Sequence, residues 1–165
     1  MQESACGTGV RLTGKARTPG GAGGTAVILL DTNVLSAMMG SADEPAVERW
    51  FDAQPPESVW TTTVTVFEIR FRLAILASGK RRDRLEEAFG RAIDDVLEGR
   101  VLPFDRNAAE AAAAIAARQR QIGRSIESRD VQIAGIVAAR RATLATRNTR
   151  HFEKLGVALV DPWRA

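Results

Sequence analysis

The sequence predicts an α/β fold: a mostly parallel sheet of about five strands with helices on both faces, in three layers. Three observations carry that expectation. Short apolar runs alternate with longer amphipathic stretches from residue 27 onward, the pattern that builds strand–helix–strand units. The first run, Val27-Ile28-Leu29-Leu30, is apolar at consecutive positions, as a strand buried on both faces must be. No run of eighteen or more apolar residues exists, so the 45% apolar content is expected to fill a core rather than cross a membrane.

The elements follow in order. After the first strand, Thr32 and Asn33 each suit the cap of a following helix. Residues 45–53 read as a helix, with Pro45 in its first turn and Val47, Trp50 and Phe51 on one side. Residues 58–62 are strand-like and run into a helix carrying Phe67, Leu73, Ile75 and Leu76. A strongly amphipathic helix places Leu85, Phe89, Ala92, Ile93, Val96 and Leu97 at helical spacing, and Gly99 ends it. Val101-Leu102-Pro103-Phe104 is the third strand, and Pro103 assigns it a strand end or a sheet edge. Asn107 and Glu110 have capping-box spacing for an alanine-rich helix that runs to Gln121. A further helix is expected over about residues 129–140, with strands at 143–146 and 157–160. No internal repeat is visible.

Residues 1–26 differ from the rest. They hold seven of the fourteen glycines and lack hydrophobic periodicity, so a disordered extension is expected, followed by one domain over 27–165. Gly20-Gly21-Ala22-Gly23-Gly24 lacks both the preceding strand and the Gly-Lys-Ser/Thr ending of a phosphate loop. Val27 is a candidate natural start, since a GTG codon can initiate translation. The net charge of +3 is concentrated in this extension, which has three basic residues against one acidic. The remainder is only +1, so overall charge says little about nucleic-acid binding. One cysteine, Cys6, cannot form an internal disulfide, and no secretory signal is evident. A reducing cytoplasm is the expected compartment.

Functional groups in such sheets gather beyond the carboxyl ends of the strands. Asp31 directly follows the first strand and would project there, although a strand-terminal Asp also serves as a turn or cap. Glu68 lies among Val64, Val66, Phe67 and Ile69, where a buried carboxylate needs a cation or donors. Asp130 opens the helix at Val131-Gln132-Ile133-Ala134, where the macrodipole alone would also favour it. Glu127 is a weaker candidate, and Asp105 reads as a helix cap rather than a ligand. Carboxylates from separate elements at one edge repel each other unless a cation joins them. Oxygen donors suit Mg²⁺ or Mn²⁺, which activate water and stabilise the oxyanions of phosphodiester cleavage.

These residues resemble a known family. Ile28-Leu29-Leu30-Asp31-Thr32-Asn33-Val34-Leu35 is similar to the opening strand and first acid of PIN-domain nucleases. Thr63-Val64-Thr65-Val66-Phe67-Glu68-Ile69 resembles the segment bearing their second acid, and Asp130-Val131-Gln132-Ile133-Ala134 their third. Thr146-Arg147-Asn148, His151-Phe152 and Val160-Asp161-Pro162-Trp163 resemble the closing segment, so the likeness spans residues 27–163. The branch it resembles is the VapC-like toxins, including the FitB-like group, of type II toxin–antitoxin pairs.

The resemblance implies a PIN-like sandwich and a metal-dependent endoribonuclease acting as the toxin. It implies Mg²⁺ or Mn²⁺ held by the catalytic carboxylates Asp31, Glu68 and Asp130, with Thr32, Asn33 and Asn148 supporting them or the attacking water. It also implies a homodimer and a small cognate antitoxin through which operator DNA is bound. Where the family commonly has a fourth acid, this chain has His151, either a metal ligand or a solvent-facing side chain. Two rivals stand beside this reading. One is a catalytically weak PIN-like module acting mainly through partner binding. The other is a receiver-type signalling domain, which needs a lysine directly after a late strand; Lys15, Lys80 and Lys154 do not stand there.

Overall fold

The computed structural model describes residues 26–41 and 44–165. The extension expected over residues 1–26 lies outside the described residues, Ala26 excepted. Among the described residues, five strands form one parallel sheet: β1 (Ile28–Leu30), β2 (Val59–Thr62), β3 (Val101–Leu102), β4 (Thr143–Ala145) and β5 (Ala158–Val160). Their order is β3-β2-β1-β4-β5. The helices are α1 (Thr32–Ser36), α2 (Pro45–Asp52), α3 (Thr63–Ala74), α4 (Lys80–Arg91), α5 (Arg106–Gln121), α6 (Ser128–Arg140) and α7 (Thr149–Glu153). Wider π-type turns follow α1 over Ala37–Ser41, kinked at the left-handed Gly40, and continue α4 over Ala92–Val96.

Register explains the three layers. Leu29 pairs with Trp60 and Leu144, and all three point into the apolar cluster completed by Ile133, Ile136, Val137 and Phe152. One residue on, Leu30 pairs with Ala145 and faces the opposite cluster, with Val34, Leu35, Ile69 and Phe89. Successive strand residues point to opposite faces, so an uninterrupted apolar run serves two cores at once. Each fully buried leucine contributes about 2 kcal/mol by leaving water.

Local chemistry sets the boundaries, and two expectations are corrected. The cap of α1 is Asp31 itself, whose carboxylate accepts from the Thr32 N–H at 2.7 Å; neither Thr32 nor Asn33 takes that place. The alanine-rich helix is capped by Asp105, which accepts from the Ala108 N–H at 3.0 Å, so the Asn107–Glu110 box is not used. A cap must precede the first helical residue in extended backbone, and Asp105 does so after Pro103 and Phe104 lead out of β3. That N–H first, then Arg140, holds the Asp105 carboxyl below its ordinary pKa, in agreement with its reading as a cap. Strand β3 is the sheet edge, where Pro103 costs no ladder bond.

Helices α5 and α6 pack at very close range. A Cβ on Gly135 of α6 would stand 2.4 Å from the Ala108 carbonyl and 2.6 Å from the Ala112 Cβ of α5. This contact fixes the position of α6, and with it the acid in its first turn.

Candidate active site

The chain leaves β1 toward β2 on one side of the sheet, while β4 lies on its other side. A crevice forms beyond the carboxyl ends of the strands at such a reversal. Asp31 follows β1 and Thr146 follows β4, so these two residues flank it. The Asp31 N–H donates to the Ala145 carbonyl at 3.0 Å, carrying the β1–β4 ladder one rung further.

The Asp31 side chain is 5% exposed and wired on both oxygens. Oδ1 accepts from the Thr32 N–H, and Oδ2 accepts from the Asn33 amide at 2.8 Å and the Thr146 hydroxyl at 2.7 Å. Burial is the largest influence on this carboxyl and raises its pKa. Donors from Thr146 and Thr32 lower it, the Glu68 charge raises it, and Asn33 lowers it again. The balance lies above the ordinary value.

Thr146 is fully buried and joins this arrangement together. Besides donating to Asp31, its hydroxyl accepts from the Asn33 amide at 3.3 Å and the Asn148 main-chain N–H at 3.0 Å. Asn33 in turn accepts from the Arg147 N–H at 3.0 Å. Asn148, expected to support the acids, contributes its backbone; its side chain makes no capping bond to α7.

Glu68 projects from the middle of α3, a helix begun by Thr62, whose hydroxyl accepts from the Thr65 N–H at 3.0 Å. Its Oε2 accepts a hydrogen bond from the Thr32 hydroxyl, linking the start of α1 to α3. Its Oε1 accepts from Arg129 at 3.0 Å, and Arg72 lies 3.8 Å away. The donors that a buried carboxylate requires are thus present.

Asp130 stands in the first turn of α6, and its side chain is more open, 20% exposed. Burial raises its pKa most, followed by the Glu127 charge; His151 lowers it, and Asp31 raises it. His151 lies in α7 with its Nδ1 3.6 Å from an Asp130 oxygen, on a side chain 66% exposed. Asp130 and His151 line a cleft of about 340 Å³ together with Gln119, Arg124, Glu127 and Lys154.

The structure therefore brings Asp31, Glu68 and Asp130 to one edge but does not close them into a ligand set. Among the described residues, no three His, Cys, Asp or Glu side chains group closely enough to hold an ion. Glu68 is drawn to Thr32 and Arg129, whereas Asp130 faces His151.

Two residues in this region escaped the sequence reading. Thr146 carried a usable signal, since it follows β4 just as Asp31 follows β1. Arg129 carried none, because its partner Glu68 is 61 residues away in the chain. The sheet order also differs from the 2-1-3-4-5 arrangement of receiver-type domains, which removes that rival.

A parallel five-stranded sheet with acids delivered after β1, from α3 and from α6 is the framework of a PIN domain. The chain belongs to the PIN domain family, whose sequence profile matches residues 28–158. It is 37% identical over 137 residues to the VapC ribonuclease Y4jK of Sinorhizobium fredii, covering 83% of this chain and 98% of that one. It is 35% identical to toxin FitB of Neisseria gonorrhoeae, covering 83% and 99% respectively. Its fold is similar to a chain in the structure of FitAB bound to a DNA fragment, with a TM-score of 0.75 and 35% identity, covering 83% and 96%. Among the described residues, no helix is long and apolar enough to cross a membrane.

Proposed function

We propose that this chain is the toxin of a bacterial toxin–antitoxin pair, a metal-dependent endoribonuclease that cleaves RNA phosphodiester bonds. One observation carries the reading. Three carboxylates, one directly after β1 and the others from α3 and α6, are delivered to the switch point of the sheet, where burial raises the pKa of Asp31 and of Asp130, with the Glu68 charge adding at Asp31 and the Glu127 and Asp31 charges at Asp130. Likeness to a VapC ribonuclease and a FitB toxin over nearly their whole lengths supports the same function.

Oxygen donors of this kind suit a hard cation, so Asp31, Glu68 and Asp130 are the residues that would hold Mg²⁺ or Mn²⁺. When bound, the metal would supply a water of lowered pKa and neutralise charge developing on the phosphate. The chain's own groups provide orientation. Thr32, Asn33 and Thr146 fix both oxygens of Asp31, and the Thr32 hydroxyl fixes one oxygen of Glu68. His151 borders the open side of Asp130, where the phosphate backbone would enter.

A small cognate antitoxin, which also binds operator DNA, is the proposed partner. The FitAB complex on DNA supports it. A second copy of the chain is proposed as well. Phe67, Phe71 and Ile75 form an exposed apolar stripe on α3 and its C-cap, consistent with a protein contact.

The test is cleavage of a structured RNA by the purified chain in Mg²⁺ or Mn²⁺, with chelator and Asp31→Asn controls. The wild type is expected to cut and Asp31→Asn to be slower by on the order of 100-fold or more. Equal rates would remove Asp31 from the site. The engagement of Glu68 by Arg129 favours one second reading, a catalytically weak module acting through its partner. A wild type that binds antitoxin but leaves RNA intact at saturating metal would establish that instead.

A further inference from the structure

We propose that Arg129 is a built-in competitor for the metal, a positioning residue whose guanidinium holds Glu68 where a divalent cation would otherwise draw it. The inference rests on the metal reading above and concerns a residue that reading does not use.

Arg129 lies on the first turn of α6, next to Asp130, and reaches across to α3. Its Nη1 donates to Glu68 Oε1 at 3.0 Å, while Nε at 2.8 Å and Nη2 both donate to Glu127 Oε1. One fork therefore ties two of the carboxylates bordering the site. Glu68 Oε2 is meanwhile taken by the Thr32 hydroxyl, so each Glu68 oxygen already has a donor. Glu68 is largely buried, its side chain 11% exposed, and a buried carboxylate left without a cation is costly. Arginine meets that need through a charge-assisted hydrogen bond.

A divalent cation at Glu68 must break this contact before it gains an oxygen donor. The Arg129 side chain is 40% exposed and has a second anchor in Glu127, so it can release Glu68 without losing all partners. The same contact, with the Thr32 hydroxyl, holds Glu68 apart from a closed ligand set. Arg72 provides an internal comparison. It lies 3.8 Å from the same Glu68 oxygen with a side chain 62% exposed, adding positive charge without a close hydrogen bond.

The experiment measures Mn²⁺ affinity by electron paramagnetic resonance on the full chain, without RNA. Arg129→Gln is expected to tighten Mn²⁺ binding about three- to tenfold, and Arg72→Gln to change it less than about twofold. Arg129→Lys keeps the charge but loses the fork, and is expected to fall between wild type and Arg129→Gln. Thermal unfolding supplies the second readout. In chelator, Arg129→Gln should melt below wild type, and Mn²⁺ should raise its melting temperature by more than it raises the wild type's. Equal affinities for Arg129→Gln and Arg72→Gln would overturn the proposal, as would weaker binding in Arg129→Gln. If wild type binds Mn²⁺ and loses it in Asp31→Asn, such a result sinks the competitor alone. Binding indifferent to Asp31 would sink the metal site and the competitor together.

Discussion

The two walls of the crevice differ in how much of their chemistry is built in advance. On the β1–α3 wall, Asp31 and Glu68 are 5% and 9% exposed, and both oxygens of each accept hydrogen bonds. On the α6–α7 wall, Asp130 and His151 sit 3.6 Å apart beside an open cleft, with the imidazole mostly in solvent. Both walls present a carboxylate toward the crevice. The first orients its acids through donors inside the domain, and the second leaves room for a ligand from outside. A nuclease needs both, because metal geometry demands rigidity whereas a polymer substrate demands access.

That contrast is most easily broken from the open wall's foundation. Gly135→Ala would drive a methyl group into the Ala108 carbonyl and the Ala112 side chain, where backbone leaves little freedom to yield. Destabilisation of about 2–4 kcal/mol is expected, measured by denaturant unfolding. Asp130 should be displaced along with α6, so activity should fall even in the folded fraction. A variant as stable as wild type would show that α5 and α6 can part without cost, and that the position of Asp130 is not set by their contact.

On the buried wall, Thr146→Val keeps the shape but removes the hydroxyl that joins Asp31, Asn33 and Asn148. Leaving those groups short of partners should cost about 1–3 kcal/mol. It should also raise the Asp31 pKa further, because Thr146 is the strongest of the influences lowering it. A Thr146→Ser variant, which retains the hydroxyl, should recover most of the activity. If Val and Ser behave alike, the hydroxyl does not orient the acid.

What the sequence revealed divides along the same line. Strands and their facing were legible, because Leu29 and Leu30 must serve two cores and only an uninterrupted apolar run does so. Asp31, Glu68 and Asp130 were legible as acids delivered to one edge. The connections between them were not. That Thr32 would reach Glu68, or Thr146 would reach Asp31 from 115 residues away, depends on tertiary geometry. Helix α7 was also missed: five residues leave too little periodicity to detect, although it places His151 beside Asp130.

A pH comparison sharpens the contrast further. The folded-state pKa of Asp31 is raised, so its favourable contribution is complete below its unfolded value, about 3.9, and fades as pH rises through the folded value. Asp31→Asn removes this dependence, so its stability relative to wild type should improve between about pH 4 and neutrality. Near pH 7 the relief of buried charge opposes the loss of an acceptor for Asn33 and Thr146, and the net change should stay within about 1 kcal/mol. Parallel unfolding curves for the two proteins at every pH would mean that Asp31 has the same pKa folded and unfolded.

The smallest effect belongs to the most exposed group. His151 lowers the Asp130 pKa from a side chain 66% exposed, so solvent screens most of whatever it does there. His151→Asp exchanges an imidazole for a carboxylate at the mouth of the cleft. It should raise Mg²⁺ affinity only about two- to threefold and shift the metal preference from Mn²⁺ toward Mg²⁺, since imidazole favours first-row transition metals and carboxylate the harder ion. Repulsion from the new charge should also lift the Asp130 pKa, moving the acidic limb of the activity profile upward. Isothermal titration with each metal, together with a pH–rate profile, measures both changes. A tenfold or larger gain would mean that the open wall is as tightly organised as the buried one. No change in either metal would place His151 outside the site.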